Sequence, residues 1–413
     1  MKKLLLGALA LASLGVHAEL KDKVYKFMPL HSDLSVVSAN GERSQEAVFT
    51  RATTAMTPDF KVTDINIPRF YNGGLLIEHG GKTEERGARN LLPAQMPVFA
   101  PAGKTVPGIC GDAMEFSGKW ELKPVALEEM PMNGTHIFSF YAKGKGVLSA
   151  TGILKLKNGT DKMLKTETFA LDSRWKRFYI RFNSGTRRNA ADLAQSFRTV
   201  FSAENATISA PMLEGPGVYF GNITPTSYIP QGGFREADKL KLSVLRPELG
   251  MEGAVAFEFI PMAQGGWQGL LSADGGWKPE LQLSYYTYSP TSSRLSLQFR
   301  GKTLLFPVRF ETEKKYSIVV NWTKEDFSLW VNGKKAGEVK APGIPFKTKE
   351  IFLGSRSIQV NANGLFRNFA LFAKPLDEAE ILKLSKEGDL SGKFPVKEVS
   401  RISPFACSPP TRG

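Results

Sequence analysis

The stretch Tyr316-Ser317-Ile318-Val319-Val320-Asn321-Trp322, followed after a short charged turn by Phe327-Ser328-Leu329-Trp330-Val331-Asn332-Gly333-Lys334-Lys335, decides the fold class. Its β-branched and aromatic residues come in short runs bounded by turn formers, the pattern of strands. Asn332-Gly333 is a strong hairpin signal, because both residues accept positive φ at little cost. The reading is two strands, a tight turn, and a third strand that carries Val339.

The same pattern extends outward. Val255, Phe257 and Phe259 alternate with Ala256, Glu258 and Ile260, as in a strand with two distinct faces. Further upstream, Ile137-Phe138-Ser139-Phe140-Tyr141 and Arg177-Phe178-Tyr179-Ile180-Arg181-Phe182 are β-prone runs set between Gly, Asn and Lys clusters. One helix is expected, over residues 377–384 after Leu376, with Asp377 as cap and Glu380 completing a capping box. The 39 glycines, 28 phenylalanines and 25 prolines of the 413 residues favour turn-rich sheet. The fold class is therefore all-β, with two tandem antiparallel β-sandwiches of jelly-roll type after a signal peptide.

Met1, Lys2 and Lys3 precede an apolar run from Leu4 to Val16, and Val16-His17-Ala18 has the small-residue ending of a secretory cleavage site. The run is too short for a helix to span a bilayer core of ~30 Å. Mature protein is expected to begin at Glu19, with no cysteine after the cleavage site to take a lipid. An exported protein is expected, periplasmic, cell-surface or extracellular, with no membrane span in the mature chain. The chain divides into a signal peptide over 1–18, a polar, loosely held lead-in over 19–45, a first sandwich over 46–240, a second over 250–388, and a poorly ordered Ser-, Pro- and Lys-rich tail over 389–413.

Two sets of motifs carry a resemblance. Phe49-Thr50-Arg51-Ala52-Thr53, Pro68-Arg69-Phe70, Gly74-Leu75-Leu76-Ile77-Glu78 and Arg89-Asn90-Leu91-Leu92 are followed in order by the strands at 138–144 and 175–182. Met212-Leu213-Glu214-Gly215, Thr226-Ser227-Tyr228-Ile229-Pro230, Arg235 and Asp238 then close the series. This series resembles the carbohydrate-binding-like jelly-roll domains of phage tail and bacterial surface proteins, with Arg89 where threonine is usual. The second half, through residues 316–322, Leu329 to Lys334, Ile351-Phe352-Leu353-Gly354-Ser355, Asn363 to Asn368 and Leu376 to Ile381, resembles laminin-G-like domains of the concanavalin A type. The resemblance implies sandwiches that bind sugars, proteins or sulphated polymers, and it does not choose among them.

No catalytic constellation accompanies these motifs. His31, His79 and His136 stand in no metal-binding spacing, and no nucleophile elbow, phosphate loop or dinucleotide fingerprint is present. Glu84-Glu85 and Glu128-Glu129 are adjacent pairs whose side chains diverge on a strand, and Glu258 is isolated, whereas glycoside hydrolysis needs two carboxyl groups across one bond. A non-catalytic protein is expected, with a sugar-cleaving enzyme as the lesser alternative. No cofactor is expected beyond a structural calcium, for which Asp274 offers a loop ligand, or else serves as an ordinary turn residue. Cys110 and Cys407 either pair or remain thiols.

Two faces are candidate binding surfaces. Along residues 175–182, Phe178, Ile180 and Phe182 point to the core, while Trp175, Arg177, Tyr179 and Arg181 offer rings and guanidinium groups to an acidic sugar; alternatively Trp175 plugs the sandwich edge. Over residues 281–300, Leu281, Leu283, Tyr285, Leu295, Leu297 and Phe299 are greasy, and Gln282, Ser284, Tyr286, Tyr288, Ser296, Gln298 and Arg300 form the opposite face. Trp267 and Trp277, in Gly-rich loops, would wall that groove, unless Tyr286 and Tyr288 pack beneath a neighbouring loop. Formal net charge is +14, of which Lys2 and Lys3 leave with the signal, so a polyanion is the expected ligand. The expected function is binding of an anionic polysaccharide or cell-surface glycan, with adhesion to protein partners as the alternative and no nucleic acid expected.

Overall fold

The computed structural model describes residues 20, 23–38, 42–78, 88–92, 103–127, 135–185, 193–215, 224–244, 250–263, 266–273, 279–289, 292–343, 349–357 and 360–387. Among the described residues, apart from the helix Glu378–Glu387 and helical residues at 20 and 23, the regular structure is antiparallel sheet, in agreement with the all-β reading. Two sandwiches are present.

In the larger sandwich, the described residues form a ten-stranded sheet whose centre is Tyr316–Trp322, Gly253–Pro261 and Gly364–Phe372. Facing it is a seven-stranded sheet that runs from Lys302–Pro307 through Ser292–Phe299, Leu281–Ser289, Gly266–Ala273, Glu350–Leu353 and Lys239–Ser243 to Ala47–Thr50. Alternation makes the core: Ile318, Val320, Trp322, Phe327 and Leu329 from one sheet meet Leu283, Tyr285, Leu297 and Phe299 from the other. Phe299 lies edge-on to Trp322 at 5.7 Å and to Phe327 at 5.3 Å. The opposite face of Tyr316–Trp322 is also apolar because the helix covers it, with Val319 and Trp330 packed among Leu376, Ile381 and Leu384. The helix begins on the expected capping box, in which the Asp377 amide donates to Glu380 Oε2 at 2.7 Å and the Glu380 amide donates to Asp377 Oδ1 at 2.8 Å. Asn332 and Gly333 take φ of 51° and 75° in the expected hairpin turn.

Two expectations are corrected here. The segment read as a loosely held lead-in contains Val24–Met28, which lies inside the ten-stranded sheet, paired to Gly364–Phe372 on one side and to Val36–Ser38 on the other. Its strand character was masked by Lys26, a buried lysine whose ammonium pairs with Glu46 and donates to the Ser243 carbonyl at 3.1 Å. Second, Ala47–Thr50, Arg69–Tyr71, Gly74–Ile77 and Lys239–Ser243, placed by sequence in the first module, hydrogen-bond into the sheets of the larger sandwich.

The smaller sandwich lies between those strands in the chain. It is built on Asp112–Glu121, Thr135–Leu156 and Ala194–Glu214. The two longest strands bend together, with a register shift between Lys145 and Ser149. The bend requires glycine at 144, which has φ +154° and where a Cβ would lie 2.3 Å from the Asn205 carbonyl oxygen. Phe138, Phe140, Phe182, Phe197, Phe201 and Trp120 fill the core, with Phe182 stacked on Phe197 at 4.4 Å.

The chain passes between the sandwiches through a buried ionic junction. Arg51, Arg69, Arg235, Glu78, Asp238 and Glu214 are all buried. Arg51 Nη1 reaches Asp238 Oδ1 at 3.0 Å, Arg69 bridges Glu78 at 2.6 Å and Asp238, and Arg235 reaches Glu78 at 3.2 Å. Neutral donors complete the junction. The Ser227 amide donates to Glu78 Oε1 at 2.8 Å, and the Glu78 amide donates to Asp238 Oδ2 at 2.9 Å. Beside it, Met56, Phe60, Met212, Tyr228 and Ile229 form a small apolar cluster. The motif residues are therefore the hardware of the junction.

Breaking one buried pair leaves an uncompensated charge, so Arg69→Ala should lower stability by about 3–5 kcal/mol. Removal of the exposed Lys335–Glu338 pair should change it by about 0.5 kcal/mol or less in urea titrations. Acid should act at the same place. Burial alone would raise the Glu78 carboxyl, but Arg235, Arg69 and Ser227 hold it at about 2, below its ordinary 4.5. A depressed carboxyl stabilises the fold fully above its unfolded value, and that contribution is lost as pH falls toward the folded one. Glu78→Gln should therefore weaken the protein at neutral pH and flatten its stability profile between about pH 4.5 and about pH 2.

Candidate functional site

Two strands of the smaller sandwich, Glu167–Leu171 and Lys176–Asn183, both pair with Thr135–Leu156, on either side of its bend. A groove of about 400 Å³ opens between them, lined by Glu167, Phe169, Arg177, Phe178, Tyr179 and Arg181. Its floor is aromatic: Phe169 and Phe178 lie 4.8 Å apart, and Phe169 meets Phe140 of the core edge-on at 5.8 Å. The alternation read from sequence holds, with Ile180 and Phe182 buried while Tyr179 is 37% exposed and Arg181 is exposed.

The polar groups of the groove differ in how firmly they are held. Arg177 is half-buried; its guanidinium donates to the Thr226 carbonyl and to Ser139 Oγ at 3.0 Å, and lies over the Tyr141 ring at 5.5 Å. Arg181 makes no hydrogen bond or ion pair among the described residues. Glu167 faces it across the groove, with Lys165 at 3.8 Å. Burial pushes the Tyr179 phenol up, against the pull of Arg181. Trp175 stands just outside, half-buried, with the Lys143 ammonium 4.8 Å over its ring. The sequence reading found Arg177, Tyr179 and Arg181 and missed Glu167, Phe169 and the lining role of Phe178. The alternation of Glu167, Phe169 and Leu171 is the signal that could have found the opposite wall.

The second candidate face is not an open platform. Gln282 and Ser284 are fully buried, with Gln282 Nε2 donating to Ser284 Oγ at 3.1 Å. Tyr286 is half-buried and lies opposite Trp267 on one neighbouring strand and Arg294 on the other. Trp267 stacks on it at 4.9 Å from one neighbour, and the Arg294 guanidinium lies 5.8 Å from its centroid on the other. Gln298 is half-buried on the same face.

Arg300 is corrected outright. It is not a strand residue but, at φ +50°, forms with Gly301 the turn between Ser292–Phe299 and Lys302–Pro307. Its guanidinium donates to the carbonyls of Thr323 at 2.8 Å, Ala341 at 3.1 Å and Met251 at 2.6 Å, so it clamps loops together. Trp277, Asp274, Cys407, His79, Glu84, Glu85, Glu128, Glu129 and the side chain of Tyr288 lie outside the described residues. Cys110 is half-buried against the apolar cluster at the junction. Among the described residues, no group of three or more His, Cys, Asp or Glu side chains is placed to hold a metal ion, and no helix is long and apolar enough to cross a membrane.

No protein-family model matches the chain, and no curated protein matches it. Among solved structures it is similar to a heptameric SAP-like pentraxin from Limulus polyphemus, at 15% identity over 33% of this chain and 70% of that one, with a TM-score of 0.27. It is similar to domain 4 of an extracellular arabinanase from Geobacillus stearothermophilus in complex with arabinotriose, at 12% identity over 36% and 73%, with a TM-score of 0.29. A third likeness is to Trypanosoma rangeli sialidase in complex with sialic acid, at 20% identity over 37% of this chain and 26% of that chain, with a TM-score of 0.30.

The placement of Arg300 makes a testable distinction. Arg300→Ala should destabilise the protein by about 1–3 kcal/mol, because the part-buried carbonyls of Thr323 and Ala341 lose their donor, while Gln298→Ala should stay within about 0.5 kcal/mol. Thermal melts of the two variants measure the difference.

Proposed function

We propose that the chain is an exported, non-catalytic protein that binds an anionic glycan in the groove of the smaller sandwich. The observation that carries this reading is the exposed Arg181, without a partner among the described residues, beside the rings of Phe169, Phe178 and Tyr179 in a groove of about 400 Å³. Sugar rings offer flat C–H surfaces to aromatic side chains, and directed hydrogen bonds set their orientation. Arg181 is suited to take a carboxylate or sulphate through a paired N–H contact, and Glu167 opposite it to accept from hydroxyl groups.

The net charge, +14 for the full sequence and +12 (14 − 2) without Lys2 and Lys3, supports the same sign of ligand, since a basic surface raises the local concentration of polyanions. Among the described residues the groove is lined by a single acid, Glu167, and the reading adopted is binding without the paired carboxyl groups of glycoside hydrolysis.

A glycan array followed by titration tests this. Uronate or sulphated oligosaccharides should bind with affinity that falls as salt rises, because exposed attraction is screened over ~8 Å at physiological ionic strength. Arg181→Ala should weaken binding about tenfold or more, equivalent to about 1.4 kcal/mol, and Lys302→Ala on the other sandwich should leave it unchanged. Neutral glycans bound equally well at low and high salt would overturn the anionic assignment.

A further inference from the structure

The groove touches the ionic junction at one point, Arg177. Its guanidinium holds the carbonyl of Thr226. Thr226 in turn holds Glu214, through its hydroxyl at 2.5 Å and its amide at 3.1 Å. Glu214 is buried at the end of Ala194–Glu214 and, among the described residues, makes no direct ion pair; its charge is met at longer range by Arg177 and Arg235. The other buried acids are differently placed, with Glu78 against Arg69 and Arg235, and Asp238 against Arg51 and Arg69. Four guanidinium groups thus stand against three carboxylates, and the least committed members on each side, Arg177 and Glu214, belong to one hydrogen-bonded chain that ends in the groove.

We propose that Glu214 is a positioning and charge-setting residue for the groove, acting through Thr226 and Arg177, so that proton uptake at the junction strengthens the binding of an anion. When Glu214 is ionised it offsets part of the Arg177 charge. When it is neutral, Arg177 presents its charge less compensated, and the remaining donors of its fork are available to a bound anion. Burial raises the Glu214 carboxyl above its usual range, and the downward pull of Arg177, Thr226 and Arg235 does not cancel this. A raised carboxyl takes up its proton at a higher pH in the folded protein than in the unfolded chain. The charged and titratable groups lining the groove itself are Glu167, Arg177, Tyr179 and Arg181. Glu167, whose carboxylate also acts on an anion in the groove, is removed from the comparison.

This inference rests on the groove reading above, and the experiment separates the two. A sulphated dextran oligosaccharide, whose own charge does not titrate in the range, is titrated into the full chain carrying Glu167→Gln at constant ionic strength, over the pH range in which circular dichroism shows the chain folded. Kd should fall about tenfold on acidification. Adding Glu214→Gln should give the acid-form affinity at every pH of that range and abolish the pH response. Thr226→Val, which removes one hydrogen bond to the ionised carboxylate, should move the midpoint of the response to higher pH, and serves if Glu214→Gln does not fold. A pH response that survives Glu214→Gln, or a midpoint unmoved by Thr226→Val, overturns the inference alone. Absence of binding by every variant and by the unmodified protein overturns the groove reading and the inference with it.

Discussion

The structure depends on a constraint at the place where the chain crosses between its two sandwiches: six ionisable side chains are buried there, five of them, Arg51, Arg69, Arg235, Glu78 and Asp238, in direct ion pairs. Taking isolated charges out of water costs several kcal/mol each even after relaxation, so the junction is stable only when Arg51, Arg69, Arg235, Glu78, Asp238 and Glu214 occupy one arrangement. Those residues come from segments that are distant in the chain, Arg51 being paired with a partner at 238 and Arg69 with one at 78 and one at 238. Meeting the requirement therefore fixes the path of four separate segments at once. The apolar cluster of Met56, Phe60, Met212, Tyr228 and Ile229 beside it excludes water and strengthens each pair.

The groove follows from the other large feature, the two long strands that bend together at Gly144 and its neighbours. Because Glu167–Leu171 and Lys176–Asn183 pair with different parts of the same bent strand, their outer edges diverge instead of pairing with each other. Aromatic side chains that would elsewhere be sealed in a core are left lining an open space. Arg177 lies where this space meets the junction, which is why one residue is both a wall of the groove and an anchor to the Thr226 carbonyl.

Strand content and local signals were legible in sequence because they depend on near neighbours. The Asn332-Gly333 turn, the capping box of Asp377 and Glu380, and the alternation of residues 176–183 are local in this sense, and each is observed. What was not legible depends on distant partners. Lys26 made a central strand look polar because its acceptor, Glu46, and the Ser243 carbonyl come from elsewhere in the chain. Arg300 was read as a continuation of strand alternation, since nothing in Phe299-Arg300-Gly301 announces that carbonyls at 251, 323 and 341 converge on it. Tyr286 was read as outward-facing, and its contacts with the cross-strand neighbours Trp267 and Arg294 depend on strand register. The motif residues were recognised by order, and their physical role became visible only when the ion pairs were assembled.

Placing the binding site on the smaller sandwich is the central claim, and amide hydrogen exchange of the full chain with and without a sulphated oligosaccharide tests it most directly. Ligand should slow exchange in Glu167–Leu171 and Lys176–Asn183, the two walls of the groove, and leave Leu281–Ser289 and Ser292–Phe299 of the larger sandwich unchanged. Protection confined to the latter pair of strands, with the groove unaltered, would contradict the account.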